Sequence, residues 1–224
     1  IDPRSADQGG LMHGWGQNTM PSTIYNMFKP GDTRREGTVI VYADEIAKVQ
    51  EMLDNGELPE GTNPFVMSQE QEKFEGLGHY KYHPRKETAS SVDPINNYFF
   101  SYRVYRYADV LLLAVELEAR ITGSVSSEAQ GWYNEIRDRA FQNENNRITL
   151  AGKSKQEILD IIFEERRFEF TDEMQRWFDI LRFDKGTEIL ASKGWTEKYR
   201  YFPLDQSEMD KTKGNLTQNP GWLQ

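Results

Sequence analysis

The sequence predicts a mainly α-helical protein: helical pairs of tetratricopeptide size form a scaffold, and loop-rich insertions carry little β structure. Three observations support this class. Apolar residues recur at helical spacing from Arg106 onward. Residues 1 to about 64 are rich in Gly, Pro, Asn and Asp and hold only short candidate elements. The segment Tyr107–Ala140 reads as two helices of about 34 residues together, the length of one tetratricopeptide unit. The expected organisation is a single domain with a loop-rich region over 1–105, a helical scaffold over 106–190 and a C-terminal tail over 191–224.

In chain order, Gly37–Tyr42 (GTVIVY) predicts a strand and Asp44–Leu53 a helix with an acidic start. Residues 64–97 continue as mixed loop and strand. In Ala108–Ile121 (ADVLLLAVELEARI) apolar side chains occupy nearly every wheel angle, so the helix expects cover on most sides, and Gly123 ends it. Ser127–Phe141 places Ala129, Trp132, Tyr133, Ile136 and Ala140 at amphipathic spacing. Ser154 followed by Glu157 is a capping box ahead of a helix running to about Phe170. Thr171-Asp172-Glu173 then offers a second cap signal before a helix from Met174 to Phe183. After Lys185-Gly186 a short polar helix or turn is expected, and the tail through NLTQNPGWLQ reads as extended chain with Trp222 as an anchor.

Composition narrows the function. Acidic residues outnumber basic ones 36 to 27, the net charge is −9, and no basic stripe appears, which argues against nucleic acid as the main partner. Mean hydropathy is −0.77 and no apolar run approaches the length of a bilayer span. Cysteine is absent, which removes disulfides, thiolate metal sites and cysteine nucleophiles from these residues. No GxSxG, phosphate-cradling GxxxxGK[ST] or HExxH occurs, and no cofactor or metal is expected. His79 and His83 have the i,i+4 spacing of a helical metal pair, but Pro84 and the intervening Tyr-Lys-Tyr favour extended chain, so they are not read as ligands. The sequence starts at Ile1 without an initiator Met or a signal core, so a leader, a tag junction or a preceding region is expected upstream.

The segment Ile158–Phe183 sets charge inside an apolar face. At about 100° per residue, Ile158, Leu159, Ile161, Ile162, Phe163, Phe168 and Phe170 sweep an arc that also contains Glu165, Arg166 and Glu169, whereas Asp160, Glu164 and Arg167 fall outside it. A charge on a face that must be buried is paired or functional. One reading is a structural ion network joining Glu165, Arg166 and Glu169 to Arg106, Asp109, Arg139, Arg176, Asp179 or Arg182. Here Arg166 with Glu169, Arg176 with Asp179, and Asp179 with Arg182 stand at i,i+3. The other is a carboxylate pair for glycoside hydrolysis, Glu165 with Glu169. The structural reading is preferred, because so many neighbouring guanidinium groups hold a carboxyl ionised.

A second candidate lies near the start. His13-Gly14-Trp15-Gly16-Gln17-Asn18 puts a large flat ring beside amide groups in a glycine-flexible loop, the combination that stacks on a sugar face and hydrogen-bonds its hydroxyls. Trp15 plugging the core beneath the loop is the competing reading. Tyr25, Tyr80 and Tyr82 are weaker aromatic candidates, and Trp132, Trp177 and Trp195 read as packing residues.

Several landmarks together resemble the C-terminal region of the SusD/RagB family of outer-membrane nutrient-binding lipoproteins of Bacteroidetes. They are Gly31-Asp32-Thr33-Arg34-Arg35; Tyr105-Arg106-Tyr107-Ala108-Asp109-Val110-Leu111-Leu112; Tyr133-Asn134-Glu135-Ile136-Arg137-Asp138-Arg139-Ala140; Glu164-Glu165-Arg166-Arg167; Arg176-Trp177-Phe178-Asp179-Ile180-Leu181-Arg182; and Gln218-Asn219-Pro220-Gly221-Trp222. Asp205 stands where many members have a second Pro, and 168–171 differs from the common run. The resemblance implies a SusD-like scaffold with residues 1–105 on the ligand side and family members more than twice this length. It also implies non-catalytic binding of an oligosaccharide at the cell surface, delivery to a SusC-like TonB-dependent transporter, and a lipid anchor on a cysteine this chain lacks. His13, Trp15, Gln17, Asn18 and Tyr25 are the expected ligand-binding residues. A peptide- or protein-binding helical-repeat module is the alternative, and a glycoside hydrolase a further one.

Overall fold

The computed structural model describes residues 20–58, 76–83, 90–92, 99 and 101–222. The chain divides into two compact units, 1–173 and 174–224. The first contains α1 (Ser22–Tyr25), α2 (Arg34–Thr38), β1 (Val39–Val41), α3 (Tyr42–Asp54), β2 (Leu77–His79), α4 (Tyr107–Thr122), α5 (Ser127–Phe141) and α6 (Lys155–Glu169). The fold is mainly α.

The core of the first unit is the packing of α4 against α5 and α6. Leu111, Leu112, Val115 and Ala119 of α4 meet Ala129, Tyr133, Ile136 and Ala140 of α5 and Ile158, Leu159, Ile162 and Phe163 of α6, all buried. The i, i+3, i+4 spacing of these residues is what selects helices there. Ser154 caps α6 reciprocally with Glu157, and Gly123, at φ 78°, ends α4 in the left-handed region that glycine enters without strain.

One side of α4 departs from the expected cover. Tyr107 (65%), Val110 (52%), Leu117 (58%) and Ile121 (73%) are exposed, because α5 and α6 pack on the other sides of the helix.

Described residues before α4 gather in a second apolar cluster. Met20, Phe28, Val39 and Leu77 are buried together, with Ile24, Tyr25, Met27, Val41 and Phe168 packed on them. The predicted strand shortens to three residues, because 34–38 close into a helical turn and Tyr42 already begins α3. β1 pairs antiparallel with β2 in the register Val39↔His79, Ile40↔Gly78 and Val41↔Leu77. Gly78 is required there: a Cβ would stand 2.6 Å from Tyr42 Cζ, so the tyrosine ring closes on bare backbone.

The predicted cap at 171–173 does not start a helix. The Thr171 hydroxyl donates back to the Arg167 carbonyl (2.5 Å), Asp172 adopts φ 69° with its carboxylate 2.7 Å from His79 Nδ1, and Glu173 is buried among cations. Tertiary ion pairing takes the side chains that a cap would use.

The second unit contains α7 (Arg176–Arg182), α8 (Gly186–Leu190), 3₁₀ turns at Ala191–Lys193 and Glu197–Arg200, and α9 (Gln206–Lys211). The tail is therefore not wholly extended, since Asp205 accepts from the Ser207 amide and caps α9. Trp177, Trp195, Tyr199 and Trp222 form a chain of ring contacts at 5.7, 6.3 and 5.7 Å. Trp222 Nε1 donates to the carbonyls of Lys198 (3.1 Å) and Tyr201 (3.0 Å), which ties the tail to its own unit. Among the described residues no helix is long and apolar enough to cross a membrane.

Candidate functional site

A cleft of about 300 Å³ opens over β1. It is lined by Tyr25, Arg35, Glu36, Val39, Ile40, Val41, Asp44, Glu45 and Tyr80. Each wall has a local cause. Tyr25 closes α1 and leans on the Met20–Phe28–Val39–Leu77 cluster, so its ring is fixed from behind. Tyr80 follows β2 directly and is positioned by its amide donating to the Thr38 carbonyl (2.8 Å). Asp44 and Glu45 occupy the first turn of α3, where the helix dipole favours negative charge. The Arg35 guanidinium lies 5.0 Å above the Tyr25 ring, and its Nε and Nη2 donate to Glu36 Oε1 at 3.0 and 2.7 Å. Two tyrosines, three carboxylates and a guanidinium around an apolar floor can stack on a ring and exchange hydrogen bonds with hydroxyl groups.

The charged face of α6 lies elsewhere in the same unit. Glu165 accepts from Arg34 Nη1 (2.6 Å), Arg137 Nη1 (3.0 Å) and the Tyr133 hydroxyl (3.0 Å). Glu169 accepts from Arg139 Nη2 (2.5 Å), Arg106 Nη1 (2.6 Å) and Arg34 Nη1 (3.2 Å). Arg166 Nη1 donates to Asp109 (2.5 Å). Arg34 is also clamped by Asp32, at 2.9 Å through Nε and 2.7 Å through Nη2. Glu173 takes Lys81 (2.7 Å) and Arg106 Nε (2.7 Å).

Burial alone would raise the Glu169 carboxyl, yet the guanidinium groups of Arg139, Arg106 and Arg34 outweigh it and hold the group down at about 2. Burial raises the Tyr133 hydroxyl, and the Glu165 charge raises it further, so it stays a proton donor. Burial lowers the Lys81 ammonium, and its pairing with Glu173 offsets this only in part. The Glu169 carboxylate, held this way, accepts hydrogen bonds and does not deliver a proton near neutral pH.

The expected network residues are thus partly brought together. Glu165, Glu169, Arg106 and Arg139 share this cluster, with Arg166 and Asp109 as a buried pair beside it. Glu169 takes its partners from other segments, whereas Arg166 turns to Asp109. Asp179 and Arg182 sit in the second unit and pair with each other at 2.9 Å, and Arg176 lies on the same helix, α7. Sequence reasoning missed Asp32, Arg34, Arg137, Lys81 and Glu173 as partners. Arg137 had a signal, since it follows Ile136 and stands four residues after Tyr133 on the buried face of α5. Among the described residues no group of three or more His, Cys, Asp or Glu side chains could hold a metal ion. His13, Trp15, Gln17 and Asn18 lie outside the described residues, and Tyr25 is the one expected ligand residue the structure places.

Comparison with known proteins follows the same lines. The model described as the SusD family matches residues 14–222. SusD-like protein P2 of Formosa agariphila is 32% identical over 132 residues, which are 54% of this chain and 26% of that protein. SusD-like protein P25 of the same organism is 34% identical over 96 residues, 42% of this chain and 18% of that protein. Surface glycan-binding protein A from Bacteroides thetaiotaomicron superposes with a TM-score of 0.70 at 27% identity, covering 95% of this chain and 43% of its own. The structure of that protein in complex with laminarihexaose also gives 0.70 at 27% identity, covering 97% and 44%. The chain therefore spans about a quarter of the first curated relative and under half of these solved structures.

Proposed function

The chain belongs to the SusD family, and from that membership we propose that it binds an oligosaccharide nutrient at the bacterial cell surface without chemistry of its own. In this reading the glycan passes to a SusC-like TonB-dependent transporter of the outer membrane. A lipid anchor would hold the protein there, on a cysteine outside these 224 residues, which contain none. The observation that carries the reading is the likeness, over 97% of the chain, to a surface glycan-binding protein solved with laminarihexaose.

The cleft over β1 supports it chemically. Tyr25 and Tyr80 offer rings, while Glu36, Asp44 and Glu45 offer acceptors for sugar hydroxyls. Trp15, Gln17, Asn18 and His13 are proposed, on their residue chemistry, to contribute a further stacking ring and polar contacts to the ligand. The cluster around Glu165 and Glu169 is proposed as structural. A general acid for glycoside hydrolysis needs a raised pKa, and Glu169 has the opposite.

Titration calorimetry of single variants tests these roles. Trp15→Ala should lose oligosaccharide affinity at unchanged thermal stability, whereas lost stability with retained affinity would make Trp15 a packing residue. Hydrolysis of any oligosaccharide that disappears in Glu165→Gln while the fold persists would contradict the non-catalytic reading.

A further inference from the structure

The first unit holds a second cavity, of about 520 Å³, between α2, the end of α5 and the chain preceding α4. Its wall carries five cationic side chains and two carboxylates, Glu169 and Glu173, in a protein whose net charge is −9. The carboxylates Asp32 and Glu165 stand behind Arg34, and Arg137 stands behind Glu165. Counting these, six cations face four acids among the described residues, an excess of two positive charges.

Most of the cations are committed. Lys81 spends all three protons, on the Glu169 carbonyl (2.9 Å), the Thr171 carbonyl (3.0 Å) and Glu173 (2.7 Å). Arg106 makes four hydrogen bonds to Glu169 and Glu173. Two are not. Arg139 reaches Glu169 only through Nη2, and its Nε and Nη1 have no partner among the described residues. Arg103 lines the same wall, is exposed, and its guanidinium has no hydrogen bond or ion pair among the described residues. Thr38, also in the wall, is fully buried, and its hydroxyl has no hydrogen-bond partner among the described residues.

We infer that this cavity receives the carboxylate or sulfate group of an acidic sugar, gripped by the free guanidinium edges of Arg103 and Arg139. A guanidinium presents parallel N–H donors that match either oxyanion in a bidentate way. The volume is far more than one inorganic anion needs and falls in the range of about 300 to 1,000 Å³ for small-molecule ligands, which leaves room for the sugar ring bearing the charge. The inference rests on the glycan-binding reading and extends it to a charged substituent at a site separate from the tyrosine cleft.

Calorimetry with trigalacturonate, laminarihexaose and inorganic sulfate tests it. Trigalacturonate should bind, its affinity should fall as NaCl is raised from 20 to 300 mM, and Arg103→Gln should weaken it about tenfold or more, the value of one charge-assisted contact. The Arg103 side chain makes no hydrogen bond or ion pair among the described residues, so the variant should keep near-wild-type thermal stability, and Arg139→Lys should weaken binding less than Arg139→Gln. Sulfate competing with trigalacturonate would support the shared oxyanion chemistry. Affinity for trigalacturonate unchanged in both Arg103→Gln and Arg139→Gln, or no binding of it at millimolar concentration, would overturn the inference. Laminarihexaose reports on the tyrosine cleft alone, so its binding without trigalacturonate would sink this inference and leave the glycan-binding reading standing.

Discussion

Replacing Glu169 by Gln removes one charge from the centre of the α6 network, and the structure sets the size of the effect. The carboxylate is 2% exposed and accepts from three guanidinium groups at 2.5 to 3.2 Å. Arg139 is 54% exposed, so solvent screens its share. Arg34 and Arg106 are the partners left facing an amide in a desolvated site, which costs about 3 to 5 kcal/mol. The depressed carboxyl pKa reflects the same three contacts. A carboxyl held at about 2 against an ordinary 4.5 is worth on the order of 3 kcal/mol at about 1.4 kcal/mol for each tenfold. Because the folded value is depressed, this stabilisation is fully present above pH 4.5 and is lost as pH falls through about 2. Thermal unfolding followed by circular dichroism at pH 7 should show a drop in Tm of roughly 6 to 20 °C, at about 2 to 4 °C for each kcal/mol in a chain of this size. Between pH 4.5 and 2 the wild type should lose stability more steeply than the variant. A drop worth under about 1 kcal/mol, or parallel pH profiles in that window, would refute the reasoning.

Other outcomes follow from the same geometry. Gly78→Ala drives a methyl into the Tyr42 ring and should lower stability by about 1 to 3 kcal/mol, read as a shifted urea midpoint; Gly78→Ala with Tyr42→Leu should recover part of it. Ser154→Ala removes the reciprocal cap of α6 and should cost about 1 kcal/mol in the same assay. Tyr25→Leu keeps the apolar contact with the Met20 cluster but loses the ring. It should weaken oligosaccharide binding by roughly 2- to 12-fold, equivalent to about 0.5 to 1.5 kcal/mol of stacking, while Tm stays within a few degrees.

The helical half was legible because local rules decide it. Apolar spacing and the Ser154–Glu157 box placed the three long helices within a residue or two of their observed ends, and the wheel put Glu165, Arg166 and Glu169 on the buried face of α6. What pairs with those charges was legible only in part: Arg106, Asp109 and Arg139 were among the expected partners, whereas Arg34 lies 131 and 135 residues from Glu165 and Glu169 and nothing local links them. The false start at 171–173 has the same origin: Asp172 and Glu173 look like cap residues, but distant His79, Lys81 and Arg106 claim them. Likewise the cleft could be anticipated only in pieces. Tyr25 and Tyr80 were visible as loop aromatics, whereas their convergence depends on the β1–β2 register.

The most direct test of glycan binding is calorimetric titration of the wild-type protein against a panel of neutral oligosaccharides, laminarihexaose included, alongside a panel of peptides. The expected result is saturable binding of at least one oligosaccharide, weakened by Tyr25→Leu, with no peptide bound. Binding confined to peptides would contradict it.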